Sequence, residues 1–229
     1  MSFNAAPVSA GRPARLPTRG WATAVTALLA LTAVADLFAV YADYNVYSLM
    51  GDVLSVSDDD LSRADVLYAS AGLGQMVSML ATAVVFIIWF HLARINAEYF
   101  AQDICTMGRG WAVGAWFVPV ANLWLPYRVA REVWQASAQS TPDGSWRKVS
   151  HAPVKAWWFL LVGSLAVDKI GSTFYKHADS ANALRQASAV VMVSDLLSVA
   201  AAAFAILFVR KLTAMQEVPV TCEPIAGSW

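Results

Sequence analysis

The sequence predicts an all-α fold, a polytopic membrane helix bundle. It would have four transmembrane helices plus a re-entrant or interfacial hydrophobic element, with both termini inside. Three observations carry this. The 229 residues are 58% hydrophobic and 14% charged, with a mean hydropathy of +0.51, whereas a soluble domain carries about a quarter charged residues. The apolar residues gather in four blocks of roughly the ~20 residues that cross a bilayer. The net charge is zero, but the charges of each sign are segregated along the chain, and that asymmetry sets orientation.

Residues 1–20 carry Pro7, Pro13 and Pro17 among Ala, Ser and Arg and read as a disordered cytoplasmic tail. The membrane domain is expected over 21–216. Its first span covers about 21–41, preceded by Arg12, Arg15 and Arg19. The block is longer than the ~7–15 residues of a signal-peptide core and lacks a clear small-residue cleavage site, so it reads as a retained anchor. Residues 44–66 hold Asp52, Asp58, Asp59, Asp60 and Asp65 against Arg63 alone. Ser57 followed by Asp60 has the spacing of a helix start, placing the beginning of the second helix ahead of its span at 67–90. Between the second and third spans lie Arg94, Arg109, Arg128, Arg131, Arg147, Lys148 and Lys155, and Arg210 and Lys211 follow the fourth. Positive residues stay inside, which puts both termini and the middle segment in the cytoplasm.

The third span is expected at 156–175 and the fourth at 187–209. The stretch from Ser180 to Gln216 holds no Pro or Gly, so the last helix should overshoot the membrane and protrude past Arg210 and Lys211. Residues 217–229 form a cytoplasmic tail. Ser140 to Ser145 read as a turn-rich loop. The ten tryptophans, among them Trp21, Trp89, Trp157 and Trp158, all fall on the proposed cytoplasmic side, while Tyr41, Tyr44, Tyr47, Tyr68 and Tyr175 fall on the other. Both residue types favour membrane interfaces.

Residues 111–134, WAVGAWFVPVANLWLPYRVAREVW, are apolar enough to enter a bilayer and too broken to cross it as one helix. Pro119 and Pro126 each remove a backbone donor and push the preceding residue out of helical geometry. Asn122 lies between them. Beyond Pro126 the pattern turns amphipathic, with Val129, Val133 and Trp134 opposite Arg128, Arg131 and Glu132. A hairpin that enters and leaves on one face satisfies this pattern. A fifth span would carry Arg128, Arg131, Arg147 and Lys148 outside. Arg128 and Arg131 beside Trp124 and Trp134, with Trp111, Trp116, Pro119, Asn122 and Pro126 in the same element, suit an interfacial anchor for anionic lipid or a partner-protein surface.

The segments FHLARINAEYF (90–100) and GWAVGAWFVPVANLWLPYRVAREVWQAS (110–137), with Trp146 and Ala156-Trp157-Trp158 opening the next span, resemble the bacterial membrane-protein family called domain of unknown function 4328. The Trp-Phe-x-Pro, Asn-Leu-Trp and Pro-Tyr elements carry the resemblance together. It implies a multi-span domain of the bacterial cell membrane and names no activity, cofactor or site residue.

Within the spans, ionisable residues are costly and merit a functional hypothesis. Asp36, Asp168, Lys169 and Asp195, with Gln75, fall at similar depth when counted from the outer ends. Each span carries a stripe of small and polar residues at helical spacing, such as Thr32, Asp36, Ala39 and Asp43, the kind of face on which helices approach closely. One reading is a proton or cation site with Asp36 and Asp195 as carboxylates and Lys169 as partner. The other is that these groups satisfy one another and fix helix register. His91 and Arg94 read as a solvated helix end or a lipid-phosphate contact. The sequence holds no metalloprotease or serine-hydrolase motif, and Cys105 and Cys222 fall in cytoplasmic segments where a structural disulfide is not expected. No catalytic residue, cofactor, metal or nucleic-acid partner is expected. The function expected first is a non-enzymatic membrane component binding lipid or a protein partner, a second copy included. A small proton- or cation-coupled transporter or channel-like protein is the alternative, and a membrane-embedded enzyme the third.

Overall fold

The computed structural model describes residues 15–52, 55–138 and 149–217. They form six α-helices and one 3-10 turn, with no strand among the described residues. The helices are α1 (Arg19–Leu49), α2 (Asp58–Phe100), α3 (Trp111–Gly114), α4 (Leu125–Ser137), α5 (Ala152–Lys176) and α6 (Ala181–Glu217), and the 3-10 turn is Ala121–Leu123. Most of residues 1–20, the loop at 140–145 and the tail beyond Glu217 lie outside the described residues.

The long helices exceed the apolar blocks that mark them. α1, α2 and α6 are long and apolar enough to cross a membrane. α5, with 25 residues, has the length, but Asp168 and Lys169 interrupt its apolar run. α2 begins where the Ser57–Asp60 spacing places it. The Ser57 side chain accepts from the Asp60 N–H at 3.2 Å, and the Asp60 carboxylate takes the Ser57 hydroxyl at 2.7 Å, a reciprocal cap. The hydroxyl's hydrogen bond holds the Asp60 carboxyl below the usual carboxylate range. α6 runs unbroken over nearly the whole Pro- and Gly-free stretch. Pro126 and Pro153 sit in the first turns of α4 and α5, where a missing N–H costs nothing.

α1 packs along both α2 and α6, and α6 packs along α5. The α5–α6 approach is close at Gly171, where a Cβ would lie 2.8 Å from Val191 Cγ2 and 3.2 Å from the Val191 backbone N. α2 and α5 thus stand at the two ends of a curved row.

The core gathers at the end of the bundle that carries the tryptophans. Trp89, Phe90 and Phe208 are fully buried and Trp134 is 1% exposed. Trp157 stacks on Phe208 with centroids 5.1 Å apart, and Phe208 meets the edge of Trp89 at 5.8 Å. Chain ahead of α1 is tied to this end. Leu16 and Asn96 exchange two hydrogen bonds of 2.9 Å, and Arg15 Nη1 donates to the Gln216 carbonyl at 2.9 Å.

Candidate functional site

Three helices bring their polar stripes together away from the aromatic core. Gln75 of α2 lies between Asp36 of α1 and Asp195 of α6. Its Nε2 donates to Asp36 Oδ1 at 3.0 Å and to Asp195 Oδ1 at 2.9 Å, which uses both hydrogens of the amide. Ser198, one turn along α6 from Asp195, donates its hydroxyl to Asp36 Oδ2 at 2.7 Å. Asp36 is 4% and Asp195 7% exposed. Asp195 Oδ2 is buried and takes no hydrogen bond from an amide or hydroxyl. Nearby, the Thr32 and Thr82 hydroxyls meet at 2.9 Å, and Ser194 donates to the Ser164 carbonyl at 2.9 Å.

These side chains border a cavity of about 470 Å³. Its polar lining comprises Asp36, Gln75, Asp168, Asp195 and Ser198, with Thr32, Thr82, Ser164 and Ser194. The remainder is apolar, from Met76, Met79 and Leu165 to the ring walls of Phe86, Trp116 and Trp157. Asp168 lines the cavity without joining the hydrogen-bonded set. Lys169 is exposed, and among the described residues no ion pair links it to these carboxylates. One residue outside the expected cluster belongs with it. Asp43, two turns beyond Asp36 on the same face of α1, is 2% exposed, and its carboxyl lies within hydrogen-bond reach of Asp195, a contact that a shared proton would close; its seven-residue spacing from Asp36 was the signal.

The arrangement is rich in acceptors and short of donors. Carboxylates from two helices, Asp36 of α1 and Asp195 of α6, share one amide and one serine hydroxyl, and among the described residues no cation pairs with them. Such a set can accept a proton or a positive charge, and it favours whatever supplies donors. No group of three or more His, Cys, Asp or Glu is arranged to hold a metal ion among the described residues.

The segment 111–134 folds as α3, a turn through Pro119, the 3-10 turn around Asn122, and α4. Its tryptophans divide. Trp134 is buried against Phe208 at 5.8 Å, and Trp116 packs on Trp157 and Trp158 at 6.4 and 6.0 Å. Trp111 and Trp124 are exposed. Trp158 Nε1 donates to the Leu123 carbonyl at 3.2 Å, fastening the hairpin to α5. The apolar face of α4 packs into the protein, with Val129, Ala130 and Val133 fully buried. Arg128 and Arg131 stay exposed on the opposite face. The hairpin tip presents Phe117, Val118, Val120, Leu123 and Trp124 to the surroundings.

Arg94 is neither a solvated helix end nor open to a lipid phosphate. It is fully buried. Its guanidinium pairs with Glu98 at 2.9 Å and donates to the Met107 carbonyl, folding the 101–110 loop back onto α2. Arg109 of that loop closes on the other Glu98 oxygen at 2.6 Å. Glu132 of α4 holds the loop from its far side, accepting from the Thr106 hydroxyl at 2.6 Å and the Met107 N–H at 3.3 Å. Glu98 lies beyond the apolar stretch of α2, which ends at Phe90. Burial pushes its carboxyl up, but the hydrogen bonds from Arg109 and Arg94 outweigh that and leave it below its ordinary value.

No curated protein and no solved structure matches the chain. A family profile does. It runs from residue 52 to residue 214, taking in the hairpin and α2, α4 and α5 whole, with Gln75, Asp168 and Asp195, and leaving Asp36 on its N-terminal side. With well over half its length matched, the chain belongs to the family described as domain of unknown function (DUF4328).

Proposed function

We propose that this is a multi-pass membrane protein whose carboxylate cluster takes up a proton or other positive charge within the bilayer, as a small transporter or channel-like protein does. The observation that carries the reading is one amide, Gln75, shared between two buried carboxylates, with the Asp43 carboxyl against Asp195, beside a cavity that Asp36 and Asp195 line. A set built only to fix register would be expected to close its donors and acceptors on each other. This set leaves acceptors over. α5 serves as the fourth span, because it lies along α6 with Gly171 against Val191 and so shares its depth. The segregated charges and the tryptophan and tyrosine ends support termini inside. The exposed apolar tip of the hairpin, next to Arg128 and Arg131, favours a second role, that of seating the protein in an anionic lipid surface.

Proton flux in proteoliposomes tests the reading. An imposed pH gradient should collapse faster with the native protein than with empty vesicles. Asp195→Asn, checked for an unchanged thermal transition, should slow that flux by about tenfold or more, which corresponds to ~1.4 kcal/mol or more on the barrier. Equal flux in the two proteins would return the cluster to a purely structural role.

A further inference from the structure

The cavity is open at its side as well as polar at one end. α2 and α5 have no extended contact. Ring pairs join them at two levels: Tyr68 stacks on Tyr175 with centroids 5.4 Å apart, and Phe86 meets Trp157 at 5.4 Å. From Tyr68 to Phe86 is about 27 Å of helix at ~1.5 Å per residue. Along that length the two helices leave a slot. Met76, Met79 and Leu165 line the cavity yet are 55%, 53% and 49% exposed, so they are its lips. In a bilayer those lips face acyl chains.

We propose that the slot binds a hydrophobic organic cation with N–H donors, an amine- or amidinium-bearing aromatic or aliphatic body, admitted sideways from the bilayer between α2 and α5. The inference rests on the charge-handling reading above and names its ligand class. The head of such a molecule supplies what the cavity's polar end lacks, N–H donors and a positive charge among Asp36, Asp168 and Asp195. Its body fills what a small ion leaves empty, the apolar length of the cavity ending on Phe86, Trp116 and Trp157. Those ring faces also attract a delocalised cation. About 470 Å³ falls within the ~300–1,000 Å³ of small-molecule sites. A lipid without N–H or O–H donors would leave the carboxylates uncompensated, and an anionic one would meet like charge.

Ethidium is a suitable probe, being a planar aromatic cation with amino groups. Phenanthridine, uncharged and without donors, is its control. Fluorescence titration uses the full chain purified in a neutral detergent, as native protein, Asp195→Asn and Met79→Trp. Met79→Trp leaves every carboxylate in place and narrows the slot from an exposed position, so it keeps the test open if Asp195→Asn unfolds. Saturable ethidium binding that weakens by about tenfold in each folded variant is the expected result, with phenanthridine indifferent to Asp195. Ethidium binding that fails to saturate, or that is equal in the native protein and the folded variants, overturns the ligand assignment. Asp195-dependent proton flux alongside such a failure would overturn this inference and leave the charge-handling reading standing. Asp195-dependent ethidium binding without proton flux would do the reverse for the proton.

Discussion

The two ends of the bundle are built on opposite rules. At the tryptophan end large rings interlock and the principal charges are paired: Arg94 with Glu98, Glu98 with Arg109. Gln216 ties α6 to α2 and α4 there, donating to the Ala93 carbonyl at 2.9 Å and the Ser137 hydroxyl at 2.8 Å. At the carboxylate end the buried apolar residues are small, Ala39, Ala42, Ala64, Ala71 and Ala187 with Val46, a cavity takes the place of interlocked rings, and acceptors outnumber donors. Helices held firmly at one end can stand apart at the other. The difference teaches that the residues that hold the fold and the buried carboxylates sit in separate places, so one set can be damaged without the other.

The sharpest way to break that comparison is a matched pair of truncations. Trp89→Ala removes a fully buried ring that touches Phe86, Phe90 and Phe208 and donates to Thr213 at 3.3 Å. It should cost about 3–5 kcal/mol. Met79→Ala, at a half-exposed lip of the slot, should cost less than ~1 kcal/mol. Thermal unfolding in one detergent, followed by helical signal, measures both. Equal losses would mean that the slot is a packed interface after all.

Arg94→Met comes next, at about 3 kcal/mol, because it removes one partner of a buried ion pair and the donor to the Met107 carbonyl. The effect should depend on pH. The folded Glu98 carboxyl sits below its ordinary value, so the stability it contributes is present above the unfolded carboxylate range and is lost as pH falls through the folded value. Arg94→Met should flatten that acid loss. An acid limb unchanged in the variant would place the pH dependence elsewhere.

Much of this contrast is written in the chain. Four blocks, a Ser57–Asp60 cap and an unbroken last helix are local signals, and the helices obey them. Asp36, Gln75 and Asp195 fall at one depth when counted along antiparallel helices, and hydrogen bonds of about 3 Å join them. Lys169 shows where counting fails. It follows Asp168 directly, and successive helical residues point ~100° apart, so equal depth does not mean an equal face. Arg94 and Glu132 carry charge and therefore read as surface, but the 101–110 loop folds over them, and no helical period reports a loop. Four polar stripes imply a closed bundle. The slot arises because α1 and α6 each pack along two neighbours while α2 and α5 meet through rings, and that pairing order is set by shape. The stripe of α5 is spent on α6, through Gly171 and Ser164.

A gain rather than a loss of stability is expected at the hairpin tip. Val120, at the hairpin tip, has φ 63° and ψ −49°, a positive-φ γ-turn closed by the Ala121 N–H on the Pro119 carbonyl at 2.7 Å, which a β-branched side chain rarely adopts. Pro119 and the 3-10 turn that follows force it there. The side chain is 69% exposed, so the protein gains little packing in return. Val120→Gly removes the clash between Cβ and backbone, worth about 1–3 kcal/mol, and gives back about 0.5–1 kcal/mol through the freer unfolded chain. The net should be a gain near 1 kcal/mol in detergent, read as a small rise in the thermal midpoint, with ethidium affinity unchanged because the tip lies outside the slot. Repeating the measurement in liposomes sharpens the point. If the gain vanishes once a bilayer is present, the isopropyl group is buried in lipid, and the strain is kept because it aims the tip into the membrane. If the gain persists, the tip is wet, and its seating rests on Phe117, Leu123 and Trp124.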